Sequence, residues 1–323
     1  MALITKGPIT FTPVTVTTKM SLPDLHEAIL ELGASPGVPS PGWGSIFDDA
    51  DAVGLAGRST VKPGQALMLE EDSVAPERIV ARFYWRQVDR ALLRALGDAD
   101  PLRVQRLHAA DVIISATHVP NEYLVLLGAR RRDEINGYIV PGLTALGDES
   151  GVLCQVRSDV SPLDFGDDDF FRWLLYRRSN EPKVGDDLQI RDVRSVSAQD
   201  RSDRGTVIKQ GADMDRPEML ALIMAPSVRL GPAKIFVTSD ELELNLDVEI
   251  RVDGGFSIQV GESDYDDNYA RADIGLPLVR DTAYYVIPEL RSAYNSDQNW
   301  RDLNRSESIE EAQKKMLALL TRK

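Results

Sequence analysis

Lys234–Val260 reads KIFVTSDELELNLDVEIRVDGGFSIQV. Leu242, Leu244, Leu246, Val248, Ile250 and Val252 fall on one side of an extended chain; Glu241, Glu243, Asn245, Asp247, Glu249 and Arg251 fall on the other. An unbroken period of two marks a strand with one buried and one wet face. Asp253-Gly254-Gly255 tolerates positive φ, so a tight turn is expected there. Phe256, Ile258 and Val260 resume the alternation on a returning strand, and Ile235 and Val237 offer a third. The expectation is an antiparallel β-meander over about residues 233–260, packed against helices.

Around this meander the C-terminal half reads as alternating helix and strand signals. Asp167, Asp168 and Asp169 precede FFRWLLYRR, with acids at the start and Arg177 and Arg178 at the end, as a helix dipole favours. Residues 186–196 give a strand. Asp215 and Glu218 form a capping box for a helix that buries Met219, Leu220, Leu222 and Ile223 and stops at Pro226. Residues 261–273 read as an acidic loop, and 282–294 as a strand or short helix broken at Pro288. A terminal helix spans 309–321, opened by Ser308 and Glu311, with Glu310–Lys314 and Glu311–Lys315 pairs.

In the N-terminal half, residues 9–18 are rich in β-branched side chains, and Ser21, Pro23 and Asp24 open a helix. Residues 34–45 are a Pro/Gly/Ser loop whose Trp43 is expected to dock on the surface. Residues 77–97 are read as a helix stopped by Gly97, against the competing reading of a strand over 78–85 and a helix from 86. A short helix over 102–109, strands over 112–116, 122–127 and 152–157, and an irregular stretch from Ile135 to Leu146 complete the reading. The fold class is α+β in two domains. Residues 1–150 form an N-terminal α/β domain with the arginine-rich helix 77–97, and 151–323 a C-terminal α+β domain.

The formal charge of -14 keeps the chain soluble and opposes non-specific contact with nucleic acid or anionic lipid unless positive charge is gathered locally. No apolar run approaches the roughly 20 residues a bilayer needs, and MALITKGPITF lacks the apolar core of a signal peptide. Cys154 is the only cysteine, so no intrachain disulfide can form. Together these point to the cytoplasm. Heavy use of Arg, Ala, Val and Asp matches a GC-rich bacterial genome.

No phosphate-binding loop, dinucleotide fingerprint, nucleophile elbow or HExxH occurs. His26, His108 and His118 are too dispersed for a usual zinc site, and Cys154 reads as a buried thiol. No cofactor and no metal are assigned. Arg78, Arg82, Arg86, Arg90 and Arg94 recur every fourth residue. On a helix they would form a ridge roughly 24 Å long suited to phosphates, with Tyr84 and Trp85 available to stack on bases. Arg130, Arg131 and Arg132 would add to it; the alternative is a solvated face. On the meander, Glu241, Glu243, Asp247 and Glu249 form an acidic face that either keeps a strand wet or docks a basic partner, including this chain's own arginines. His118 with Glu122 offers an acid–base pair. Asp167 to Asp169 with Glu181-Pro182-Lys183 weakly echo a metal-dependent nuclease arrangement.

The expected function is a non-catalytic, nucleic-acid-associated binding protein, a subunit of a larger bacterial nucleic-acid-processing or defence complex. Its partners would be nucleic acid and a protein or a second copy, with no membrane. The alternatives are a divergent metal-dependent nuclease or hydrolase and a protein-only adaptor.

Overall fold

The computed structural model describes residues 7–33, 41–44, 66–97, 100, 104–199, 205–209, 216–225, 228–266 and 273–321. The chain divides into two units, residues 1–162 with 270–277, and residues 163–269 with 278–323. The fold is α+β, with large antiparallel sheets and seven helices among the described residues.

The first unit holds β1 (Pro8–Thr18), α1 (Leu22–Glu31), β2 (Gly42–Trp43), β3 (Leu67–Leu69), β4 (Arg78–Val88), α2 (Arg90–Leu96), β5 (Gln105–Ala116), β6 (Glu122–Leu127), α3 (residues 132–150) and β7 (Cys154–Arg157). Its sheet order is β2-β4-β5-β6-β1, all antiparallel, with β3 also on β4 and β7 on β1. α1 begins as its sequence dictates: Asp24 N–H donates to Ser21 Oγ, and Ser21 N–H donates to the Asp24 carboxylate. One sheet face, carrying Ile79, Ala81, Phe83, Trp85, Val112, Ile114 and Val125, packs on α1 and on the α3 stripe Ile135, Ile139, Leu143 and Leu146.

Three expectations change here. Residues 78–88 are a strand, and only Arg90–Leu96 is helical, so the helix expected over 77–97 does not form. Ile79, Val80, Phe83, Tyr84, Trp85 and Val88 favour a strand. A spacing of four keeps residues on one side in period two as well as in period 3.6, so the arginines could not distinguish the two. Residues 105–109, expected within a short helix, extend β5. Trp43 is 2% exposed, packed in the core rather than docked on the surface.

The stretch Ile135–Leu146, expected irregular, is helical. A π-turn over Ile135–Ile139 precedes Pro141, and the Val140 N–H donates to the Ile135 carbonyl. A proline ring inside a helix collides with the carbonyl four residues back, here that of Gly137, which lies in the widened turn. The second unit repeats the device: a π-turn over Thr282–Val286 precedes Pro288, with the Ile287 N–H donating to the Thr282 carbonyl. The break expected at Pro288 is therefore absent, and residues 275–296 run as one helix.

The second unit holds α4 (Asp169–Asn180), β8 (Lys183–Val184), β9 (Leu188–Gln199), β10 (Gly205–Lys209), α5 (Pro217–Met224), β11 (Arg229–Ser239), β12 (Leu244–Ile250), β13 (Phe256–Gln259), β14 (Asp264–Tyr265), most of α6 (residues 275–296) and α7 (residues 300–321). Its sheet order is β10-β9-β11-β12-β13, with β8 on β9 and β14 on β12. The expected meander is present: β11, β12 and β13 pair in sequence, and the turn between β12 and β13 places Gly254 at φ 75. Leu244, Leu246, Val248 and Ile250 are each at most 1% exposed. The stripe is shorter than its sequence, since Leu242 lies in a turn and Val252 is 37% exposed. α4 lies against β9 and β11 and buries Phe170, Phe171, Trp173 and Leu174. The helix expected to be capped by Asp215 has Arg216 at its N-cap; Asp215 itself lies outside the described residues. The terminal helix expected from residue 309 begins at residue 300 through a third π-turn.

Candidate functional site

The arginine series divides along β4. Arg78 and Arg82 are buried at 6% and 5% exposure. Arg78 pairs with Asp72 at 3.0 Å; Arg82 faces Asp111 across the strand pair at 3.6 Å and lies over the Tyr84 ring, 5.8 Å from its centroid. Arg86 is half-buried. Arg82 ties β4 to β5, Arg78 ties β4 to the segment that precedes it, and the three present no continuous exposed ridge. Tyr84 and Trp85 are likewise buried, which withdraws them as stacking platforms. Trp85 instead sits between His108 and Tyr138, with centroids 5.6 and 5.7 Å away and near-parallel planes.

Arg90 and Arg94 lie on α2, whose N-terminus is fixed by Asp89. The N–H groups of Leu92 and Ala91 donate to that carboxylate at 3.0 Å, and the Leu92 bond holds it below the usual carboxylate range. α2 sits at the end of the β4–β5 hairpin, whose pairing runs unbroken to Val88 opposite Gln105. β6 stops earlier, with Leu127 opposite Val112. The hairpin thus overhangs β6 by about 24 Å, at ~3.4 Å per strand residue. Arg130, Arg131 and Arg132 emerge where β6 ends, just after the Gly128 N–H donates to the Asp111 carbonyl. Tyr138 against Trp85 places the second turn of α3 beside the overhang.

Six exposed arginines thus lie toward this end of the sheet in two groups: Arg90, Arg94 and Arg106 toward the hairpin tip, and Arg130, Arg131 and Arg132 where β6 ends, about 24 Å back along the strands. Two of them are held by local acids: Arg106 by Asp89 at 2.6 Å, and Arg131 by Asp133 at 2.6 Å and Glu134 at 3.4 Å. Arg90, Arg94 and Arg132 have no ion pair among the described residues. Arg106 joins them because β5 extends over residues 105–109, which the expected helix over 102–109 concealed.

The acidic face of the second unit is internally compensated. Asp247 is fully buried, in ion pairs with Arg194 and with Lys234 at 3.0 Å, and both cations also reach Glu262. Burial pushes the Asp247 carboxyl up to about 6 against the pull of Lys234 and Arg194, while Lys234 holds Glu262 below its usual range. Glu241 and Glu243 sit in the turn before β12, not on its face, and Glu249 is half-buried.

Asp167, Asp168 and Asp169 tie the start of α4 to α6, β11 and α7. Asp167 accepts from the Tyr294 hydroxyl at 2.7 Å, Asp168 from the Leu230 N–H at 2.9 Å, and Asp169 from Trp300 Nε1 at 3.0 Å and Arg305 Nε at 2.9 Å. Glu181 pairs with Arg177 at 2.8 Å, and the Lys183 carbonyl accepts from Arg177. Each group suspected of nuclease chemistry thus has a structural partner, except the Lys183 ammonium, which is exposed. The described residues gather no three His, Cys, Asp or Glu side chains in metal-binding geometry. Glu122 pairs with Arg157 at 3.1 Å, while His118 is exposed; Cys154 is buried in β7. No helix among the described residues is long and apolar enough to cross a membrane. No protein-family model and no curated protein matches the chain.

Proposed function

We propose that the chain binds nucleic-acid phosphate through the arginine end of its first unit, as a binding protein and not as a catalyst. The observation that carries this reading is six exposed arginines spread along the β4–β5 overhang, from its tip to the end of β6, in a chain whose net charge of -14 otherwise repels polyanions. Guanidinium forks fit phosphate oxygens, and contacts of this kind position a strand without reading its sequence. Arg90, Arg94 and Arg132 carry the interaction, since local acids already hold Arg106 and Arg131.

Binding of a labelled oligonucleotide at low salt tests it. Arg90→Gln, Arg94→Gln and Arg132→Gln together should abolish most of the affinity with an unchanged melting temperature, because all three side chains are exposed. Undiminished binding by that variant sinks the reading. α2 favours a second one: it buries none of its residues and exposes Leu92 at 40% and Leu96 at 56%, a surface suited to a protein partner. A wild type that binds no oligonucleotide and elutes as a dimer, while Leu92→Ser with Leu96→Ser elutes as a monomer, would favour that one.

A further inference from the structure

Beside the arginines, α3 and β4 enclose a slot of about 240 Å³ that phosphate contacts leave unused. Tyr138, half-buried, supplies its accessible ring; Trp43 and Phe83, 2% and 1% exposed, form its buried floor, Leu32, Pro41, Pro141 and Ala145 are among its other apolar walls, and no charged side chain lines it. Trp43 and Phe83 are fixed in the core, their centroids 4.9 Å apart and their planes tilted by 59°. Tyr138 is half-buried, one face backed by Trp85. Two glycines shape the space. At Gly142 a Cβ would lie 2.4 Å from the Phe83 ring, so only glycine lets the helix come this close. At Gly137, within the π-turn, a Cβ would meet nothing within 4 Å, so the slot is open there. Such widened turns recur at functional sites.

The slot shares its elements with the arginines. Arg132 opens the helix on which Tyr138 sits, about 9 Å further along at ~1.5 Å per residue. β4, which carries Phe83, leads directly to α2 and Arg90. A phosphate has no reason to enter a slot without charge. A flat ring does: an apolar cavity of roughly 150 Å³ accommodates benzene, and this one has room for one base but not a base pair. A duplex hides the faces of its bases, whereas a single strand offers them to aromatic side chains.

We propose that the slot takes one unpaired base of a single-stranded nucleic acid whose backbone lies on Arg90, Arg94 and Arg132. This rests on the phosphate-binding reading above and adds the substrate class. Stacking of one base is worth roughly five- to a hundredfold in affinity. The test compares a short single-stranded DNA, the same strand in a blunt duplex, and the strand with abasic sites. Wild type should prefer the single strand by at least about fivefold. Gly137→Leu, which fills the open side of the slot, should lose that preference while keeping its duplex affinity and salt dependence. Tyr138→Ala should do the same, and serves if Gly137→Leu melts early. Abasic strands should bind wild type no better than duplex. Equal affinity of wild type for single strand and duplex, or a preference that survives both variants, overturns the base slot while salt-dependent binding leaves the arginine reading standing. Wild type binding neither nucleic acid overturns both.

Discussion

Asp111→Ala is expected to cost more stability than any exposed-arginine variant. Arg82 and Asp111 sit directly opposite on β4 and β5, 3.6 Å apart, with side chains 5% and 7% exposed. At an effective dielectric of about 20, their direct attraction is about 5 kcal/mol. Much of that offsets the cost of removing both ions from water. Deleting the carboxylate leaves the guanidinium buried over the Tyr84 ring without its counter-ion, and unfolding free energy should fall by about 3–5 kcal/mol. Arg82→Met with Asp111→Leu removes both charges at similar volume, and should lie within about 2 kcal/mol of wild type. Urea melts of wild type, both single variants and the double variant close the cycle, with a coupling of about 3 kcal/mol. A loss under about 1 kcal/mol in Asp111→Ala, or a double variant as damaged as the sum of the singles, refutes the view that these charges are a mutually dependent structural pair.

Other outcomes follow from the second unit. Tyr294→Phe removes the 2.7 Å bond to Asp167, a bond that together with burial raises the Tyr294 pKa; the variant should lose about 1–3 kcal/mol in thermal or chemical melts. Asp247 has a folded pKa of about 6 against an ordinary 3.8, so its contribution is fully present below about pH 4 and lost as pH rises through 6. The stability difference between wild type and Asp247→Asn should therefore fall between pH 4 and 6.5; a flat difference would mean that Arg194 and Lys234 fully offset the burial of the carboxylate.

The meander was legible because its signal is local. Period two over Leu244–Ile250 has one physical reading, and Gly254 supplies the turn that reading needs. The capping box of α1 was legible for the same reason: its partners are three residues apart in sequence. The arginines were not. Their spacing of four is common to a strand face and a helix ridge, and only β5, some 30 residues on, decides between them by supplying Asp111. Pro141 and Pro288 read as breakers because nothing in the residues announces a π-turn ahead of them. The basic end was hidden for a related reason: Arg90, Arg94, Arg106 and Arg130 to Arg132 come to the same end of the sheet only through the register of three strands.

The slope of log K against log salt for oligonucleotide binding tests the central claim most directly. Each phosphate neutralised contributes about 0.7 to 0.9 to the magnitude of that slope. Replacing Arg90, Arg94 and Arg132 with Gln should therefore flatten it by about 2 to 2.7, whereas Glu241→Gln with Glu249→Gln should leave it unchanged. A triple variant with the wild-type slope, or a wild type with no salt-dependent binding, would contradict the assignment of these arginines to phosphate.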